Sequence, residues 1–398
     1  MRDAEIPPND VTIDRLPELV AALPAEQRQI AERLFEIVEA EGVIQPPPEM
    51  EPWLARTFGS VEATLRQRII RVTNRWTFEG ATFNPLRSRR PGSGTTQAAA
   101  QTPTQTPTQA GPRQVPLELR ERIQATEGDD FCDPEHRTPA DSFGRVYGQH
   151  VVTAANVAKA ESWHSVAIFD RHDPLAIDAA LVVDVLAVAG EWTQQAHRAD
   201  DAARYFFLLW NCLPRAGASL IHGHAQMTLS ATMAHARVEA WRAAAERYRQ
   251  ACGGDYFADL ATTYQALGLA VPLASSRVTV LASLTPAKER EFVLLANPWQ
   301  DDGQTLALES LAQPLAVALD VMLATLGVRA FNLAIFGPPL PGDPRAAEWT
   351  GFPLVARFVD RGNPLAPTSD IAGLELFGSS VIASDPFDVA RSLRAGQH

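Results

Sequence analysis

The stretch GASLIHGHAQ, residues 217–226, sets two histidines two residues apart and a glutamine two further on. In an extended strand alternate side chains share a face. His222, His224, Gln226 and Thr228 then form one polar row, with neighbours about 7 Å apart. Ile221, Gly223, Ala225 and Met227 face the other way as a small or apolar set suited to packing. Buried polar groups must find partners, and the preceding loop offers a reason for the row. Its Gly217, Ala218 and Ser219 combine backbone freedom, N–H groups and a hydroxyl, the parts of a phosphate cradle. An imidazole beside such a cradle is a competent nucleophile at phosphorus, largely neutral near pH 7, and the phosphoramidate it forms can pass its group onward. The same spacing also suits two metal-bound histidines or two satisfied core histidines, and a short motif alone does not decide among the three.

The elements that must hold these residues can be read along the chain. AEQRQIAERLFEIVEAEG has apolar residues at helical spacing and ends at Gly42, and SVEATLRQRIIRVTNRW is also helix-like, so residues 1–78 are expected to form a helical region. Residues 93–114 are Thr, Gln, Pro and Ala with almost no apolar anchor, and are expected to be a disordered linker. From residue 141 short apolar runs begin. RVYGQHVVTAAN and SWHSVAIFD read as strands, PLAIDAALVVDVLAVAGEWTQQAHRA as a helix, and ARYFFLLWN as a strand by its aromatic content, leading to LIHGHAQMTLS. A long helix then stops at Gly253, and the last third repeats strand, strand, helix, strand, strand. The expected fold class is α+β, with two related halves over 79–235 and 236–398.

Composition bounds the partners. The chain has 398 residues and a net charge of −12, against a nucleic-acid binder held by its global field. It leaves room for a small phosphorylated ligand held locally. The three cysteines, Cys132, Cys212 and Cys252, make no disulfide framework. The acidic start has no signal-like apolar stretch, and no run of about 18 apolar residues appears. A cytoplasmic protein with no membrane span is expected.

The string Asn211, Ser219, His222, His224, Gln226 resembles the signature of the histidine-triad superfamily. More narrowly it resembles the branch holding galactose-1-phosphate uridylyltransferase and the dinucleoside-tetraphosphate phosphorylases. The segments 152–175 (VTAANVAKAESWHSVAIFDRHDPL), FNPLRSRRPG and 373–394 are similar to parts of the same branch, so the likeness covers most of residues 79–394. It implies two histidine-triad-like halves with antiparallel sheets flanked by helices. It implies an enzyme that transfers a nucleoside monophosphate through a nucleotidyl-histidine, with a nucleotide and a phosphorylated small molecule as substrates. Sugar 1-phosphate, inorganic phosphate and water are the alternative acceptors, and a non-catalytic nucleotide binder is the alternative class. By this resemblance His224 is the nucleophile, Gln226 a phosphate ligand, and Ser219 with Gly217 and Ala218 the phosphate loop. Asn211 orients the loop or the nucleophile, and Asn156 contacts nucleotide. Zinc in the uridylyltransferases implies a site at Cys132, His172 and His222, with Asp129 where the family has its first cysteine; His222 then either holds zinc or braces His224. Arg357 and Arg361 in the second half either contact an anionic substrate or lie on an exposed strand edge. A homodimer is expected by analogy alone.

Overall fold

The computed structural model describes residues 11–89, 115–273, 278–371 and 373–397, and the expected linker 93–114 lies outside them. The described strands are β1 (Phe35–Val43), β2 (Arg66–Asn74), β3 (Gly80–Phe83), β4 (Val151–Ala155), β5 (Trp163–Phe169), β6 (Tyr205–Cys212) and β7 (His224–Ser230). They continue with β8 (Ala270–Pro272), β9 (Val278–Ala282), β10 (Glu289–Ala296), β11 (Phe331–Phe336), β12 (Leu354–Asp360) and β13 (Ser379–Ile382).

The repeated grammar closes into one nine-stranded sheet, ordered β4-β5-β7-β6-β11-β12-β10-β9-β8. From the central pair outward, each half runs through its third, fourth, second and first strand, and β8 adds a ninth strand at the edge of the second half. The two third strands, β6 and β11, pair antiparallel with Asn211 opposite Asn332 and Leu209 opposite Ala334. The two halves are therefore related by an approximate twofold through the centre of the sheet. The helix between the second and third strand of each half, Ala179–Ala199 in the first and Ala312–Asp320 in the second, covers the same face, and the two helices touch. The longer stretch Leu308–Thr325 is apolar enough to cross a membrane by composition, yet Leu311, Leu315, Ala318 and Leu319 are buried in the core. On β7, Ala225, Met227 and Leu229 are buried towards this layer, as alternation requires. The opposite face carries the polar row.

The N-terminal region differs from the periodicity reading. AEQRQIAERLFEIVEAEG is helix only over Ala25–Leu34 and continues as β1. SVEATLRQRIIRVTNRW is helix over Glu62–Leu65 and continues as β2. Short segments rich in both apolar and charged residues are ambiguous between the two periods, and pairing between distant segments decides. Here Phe35 faces Asn74 and Ile37 faces Val72 across the ladder. Arg66 with Glu41 and Arg68 with Glu39 add cross-strand ion pairs on its exposed part. With β3 and a parallel β13 from the C-terminus these strands form a second, four-stranded sheet.

Candidate active site

The polar row begins at a tight approach between two strands. Gly223 accepts from the Phe169 amide and donates to the His172 carbonyl, so the chain enters β7 already pressed against the end of β5. His222 lies in the bend just before β7 and His224 is its first residue; both are buried. His224 Nδ1 lies 2.8 Å from the His222 carbonyl oxygen. A carbonyl only accepts, so Nδ1 carries the proton and donates. The lone pair of the neutral ring is then on Nε2, which makes no hydrogen bond to any described residue. Burial holds the His224 pKa below the ordinary imidazole value, because desolvation penalises the charged ring. This is a neutral imidazole of fixed tautomer with its basic nitrogen free.

The loop between β6 and β7 turns sharply. Leu213 has a positive φ of 71° before Pro214, and Gly217 has φ 97° after the Pro214–Ala216 turn. The amides of Ala216, Gly217 and Ala218 are all spent inside this turn, donating to the Leu213 and Pro214 carbonyls. The Gly217 and Ala218 amides are thus both engaged within the turn. Their role is to shape the turn. The next amides, of Ser219, Leu220 and Ile221, make no hydrogen bond to described residues, and Ser219 is exposed. The donors available to an anion are thus displaced towards His222.

A second cluster lies beside the row. Asp129, Cys132, His172 and His222 bring one ligand atom each within 4.8 Å of one another. His222 Nε2 lies 2.9 Å from the Phe169 carbonyl and His172 Nε2 3.0 Å from the Ile123 carbonyl. Each ring thereby donates its proton outward and turns the Nδ1 lone pair inward. Those two lone pairs face one another at 3.3 Å, with Cys132 Sγ at 3.4 and 3.5 Å from them. Asp129 Oδ1 is 3.4 Å from His222 Nδ1, and Asp129 Oδ2 is buried without a hydrogen-bond partner. Converging lone pairs and an orphaned carboxylate oxygen repel unless a cation sits among them. A tetrahedral ion with bonds of about 2.0–2.3 Å spaces its ligands about 3.3–3.8 Å apart, which these atoms match. The residues fit zinc, with Asp129 supplying an oxygen where the family pattern has a thiolate. His136, the other nearby histidine, is exposed and paired with Asp133 outside the cluster.

Gln226 shares the row, but its partner was not anticipated. His164, on β5, accepts the Ala160 amide at Nδ1, so its proton is on Nε2, which lies 3.2 Å from Gln226 Oε1. Held by its oxygen, Gln226 keeps its NH2 group for another acceptor. Asn156 Nδ2 lies 3.2 Å from the same His164 nitrogen, but its oxygen accepts from the Ala158 amide and both facing nitrogens are donors, so Asn156 stands beside the Gln226 network without a hydrogen bond to it. Nothing in the spacing of SWHSV marks this role; the register does, because His164 faces Thr228 on β7, two pairs along the ladder from Gln226 opposite Val166 and so on the same face. Next to His224, the apolar side chains Ala154, Val166 and Ile168 form a small separate cluster with Val152 and Phe131 on the same face. The Phe131 ring meets His224 edge to face at 5.2 Å and is carried by the segment between Asp129 and Cys132.

Comparison with known proteins bears on this arrangement. No family model and no curated protein matches the sequence. Solved structures do. An ADP-glucose phosphorylase from Arabidopsis thaliana with bound ADP-glucose aligns with a TM-score of 0.57 at 16% identity, over 81% of this chain and 97% of that one. A GalT-like protein from Arabidopsis thaliana aligns at 0.54 and 17% identity, over 68% and 92%. A uridylyltransferase aligns at 0.52 and 16% identity, over 65% and 88%. The chain shares its fold with these three structures.

Within this sheet the second half does not repeat the polar row. β12 is the counterpart of β7 and presents Val355, Arg357 and Val359 where β7 presents His224, Gln226 and Thr228. Arg357 does not lie on an exposed edge, since β12 runs between β10 and β11. It is buried within the sheet, paired to Glu79 at 2.8 Å and Glu291 at 3.0 Å, with its guanidinium 5.3 Å from the Trp241 ring centre. Burying an arginine costs several kcal/mol unless it is paired, and two carboxylates and an indole supply the compensation. Arg361 is likewise occupied, by Asp370 and Asn332. Arg215 is spent on the Arg361 and Thr368 carbonyls, and Cys212 is buried at the end of β6.

Proposed function

We propose that the chain is a nucleotidyltransferase working through a covalent nucleotidyl-histidine at His224. The observation that carries this is the His224 ring itself: buried, neutral, proton fixed on Nδ1 by the His222 carbonyl, Nε2 free. In the first step Nε2 attacks the α-phosphorus of a nucleoside diphosphate ester. The Nε2–P bond forms, the bridging P–O bond breaks, and its electron pair leaves with the departing phosphate; from ADP-glucose or UDP-glucose that is glucose 1-phosphate. The ring becomes cationic at phosphorylation, and the His222 carbonyl, already accepting the Nδ1 proton, stabilises that charge. In the second step an acceptor oxygen attacks phosphorus and returns the lone pair to Nε2. A sugar 1-phosphate as acceptor makes the chain uridylyltransferase-like; inorganic phosphate makes it a phosphorylase. The free amides of Ser219, Leu220 and Ile221 and the NH2 of Gln226 are the donors for the phosphate oxygens, and the apolar cluster with Phe131 is the platform for the base. The −12 net charge leaves room for a small phosphorylated substrate held by local donors.

Asp129, Cys132, His172 and His222 would hold zinc, which would supply a structural cross-link here. These residues tie the segment that carries Phe131 to the residue whose carbonyl holds His224. Metal analysis of the purified protein is expected to find about one zinc per chain. Removing it with a chelator should lower Tm by about 5 °C, the size expected when a tightly bound ligand of the native state is lost. Protein without zinc, or with an unchanged Tm after its removal, counts against the site.

The test of function is intact mass spectrometry after incubation with ADP-glucose, UDP-glucose, ATP and diadenosine tetraphosphate. A single nucleotide adduct, discharged by galactose 1-phosphate or inorganic phosphate, is expected; no adduct and no exchange with any donor overturns the reading. Replacing His164 by phenylalanine keeps the buried ring but removes the donor to Gln226. The adduct rate should fall about tenfold, the value of one buried hydrogen bond. An unchanged rate would show that Gln226 is oriented without His164.

A further inference from the structure

Asn211 sits on β6 two residues beyond Leu209, which pairs with Gln226, so it shares the face of the polar row and lies beside the start of β7. Its side chain is not held by its own half. Asn332, directly opposite on β11, donates from Nδ2 to Asn211 Oδ1 at 2.6 Å and to the Ala216 carbonyl at 2.7 Å. Asn332 Oδ1 accepts from Arg361 Nη1 at 2.6 Å. Arg361 is clamped in turn by the Asp370 carboxylate, which receives two of its N–H groups. Burial raises the Asp370 pKa and Arg361 more than offsets it, so the carboxylate stays charged.

The direction of every bond in this chain is forced. A guanidinium only donates and the Ala216 carbonyl only accepts, so Asn332 has one permitted amide orientation. That orientation presents a donor to Asn211, which must answer with its oxygen. Its Nδ2 is then turned away from β11; it is the atom nearest to where a Cβ on Gly217 would lie, at 4.0 Å. This NH2 group makes no hydrogen bond to any described residue. Arg215 from the same loop donates to the Arg361 carbonyl, so loop and relay are tied at a second point.

We propose that Asn332 and Arg361 are positioning residues that hold the Asn211 amide with its N–H groups towards the phosphate transferred at His224. The second half would thus have given up a site of its own and kept a part in the first. This inference rests on the nucleotidyl-transfer reading of His224, and the experiment below separates the two.

Asn332→Asp keeps the shape and the acceptor for Arg361 but removes both donors. A carboxylate there faces the Ala216 carbonyl and draws the Asn211 NH2 group towards itself, away from the site. The rate of adduct formation from ADP-glucose should fall about 100-fold, as when one preorganised donor to developing charge is lost. ADP-glucose affinity, by calorimetry, should change less than about threefold, since the interaction belongs to the transition state. Asn211→Ala should behave alike, and the double variant no worse than the poorer single one. Additive losses in rate would overturn the relay, as would an Asn332→Asp rate equal to wild type. If Asn332→Asp lowers Tm, the same cycle with Asn332→Leu decides by the same criterion. If the wild type forms no adduct, the covalent reading fails on its own. The relay is then scored by whether the two substitutions are non-additive in denaturation midpoint, and additivity there overturns it as well.

Discussion

His224→Ala is expected to abolish the nucleotide adduct and to lower turnover by at least about 10⁴-fold, the scale on which losing a covalent nucleophile acts. The fold should survive. His224 makes one side-chain hydrogen bond, to the His222 carbonyl, and alanine is tolerated next to the apolar cluster. Nucleotide affinity should persist, because the free amides of Ser219, Leu220 and Ile221 and the Gln226 side chain are untouched. Retention of binding with complete loss of adduct, read by calorimetry and intact mass on the same sample, is the expected pair. An adduct that persists in His224→Ala and maps to another residue would remove His224 from its role. The pH dependence follows from the same ring. Desolvation depresses the His224 pKa, so the reactive neutral form is already dominant at and above the ordinary imidazole value of about 6.5. The adduct rate should therefore stay level from pH 8 down through that value and fall only at lower pH. A decline that begins above pH 7 would mean a ring whose charged form is favoured, opposite in sign to what burial imposes.

How much of this was legible in the chain depends on how far apart the interacting residues lie. The alternation of LIHGHAQMTLS placed His224 and Gln226 on one face and Ala225 and Met227 on the other, because a strand's period of two is local. The strand-strand-helix-strand-strand grammar appeared twice, because each unit is built from contiguous apolar runs. The four groups around the candidate zinc were legible through resemblance, including Asp129 in place of a thiolate. Their inward lone pairs were not, since the Phe169 and Ile123 carbonyls that set them carry no sequence signature. β1 and β2 were misread as helix because what makes them strands is each other, about 30 residues apart. The fates of Arg357 and Arg361 were undecidable from FPLVARFVDRG. Glu79 is 278 residues from Arg357, and only the placement of the N-terminal sheet over the second half brings them together. Gly217 was read as a donor of phosphate contacts from its type. The structure gives it a positive φ and engages its amide in the turn.

Gly223, the residue between the two histidines, bears on both the fold and the chemistry, and Gly223→Ala is the second large effect. Its φ is not in the left-handed region, so conformational freedom is not why glycine stands there. Space is. A Cβ at this position would lie 2.7 Å from Phe169 Cδ2 and 3.3 Å from the Arg171 carbonyl oxygen. The Phe169 ring cannot step aside, being buried and packed edge to face on Trp210 at 4.9 Å. The Arg171 carbonyl belongs to the turn leading to His172. The added methyl must therefore push β7 away from β5 at the end of their ladder, where the Phe169–Gly223 and Gly223–His172 backbone bonds tie the two segments. Overpacking of this kind costs about 3 kcal/mol, to be read as a fall in denaturation midpoint. The displacement also acts on function, because it moves His222 away from the Phe169 carbonyl and from Asp129, Cys132 and His172, and moves the carbonyl that fixes the His224 tautomer. A shift of about 1 Å at a reacting group costs roughly 100-fold in rate. The adduct rate should fall by that order even at temperatures where the variant is fully folded, and zinc content should drop with it. A folded Gly223→Ala protein with normal zinc and normal rate would show that the close approach of β5 and β7 packs the sheet without positioning the site.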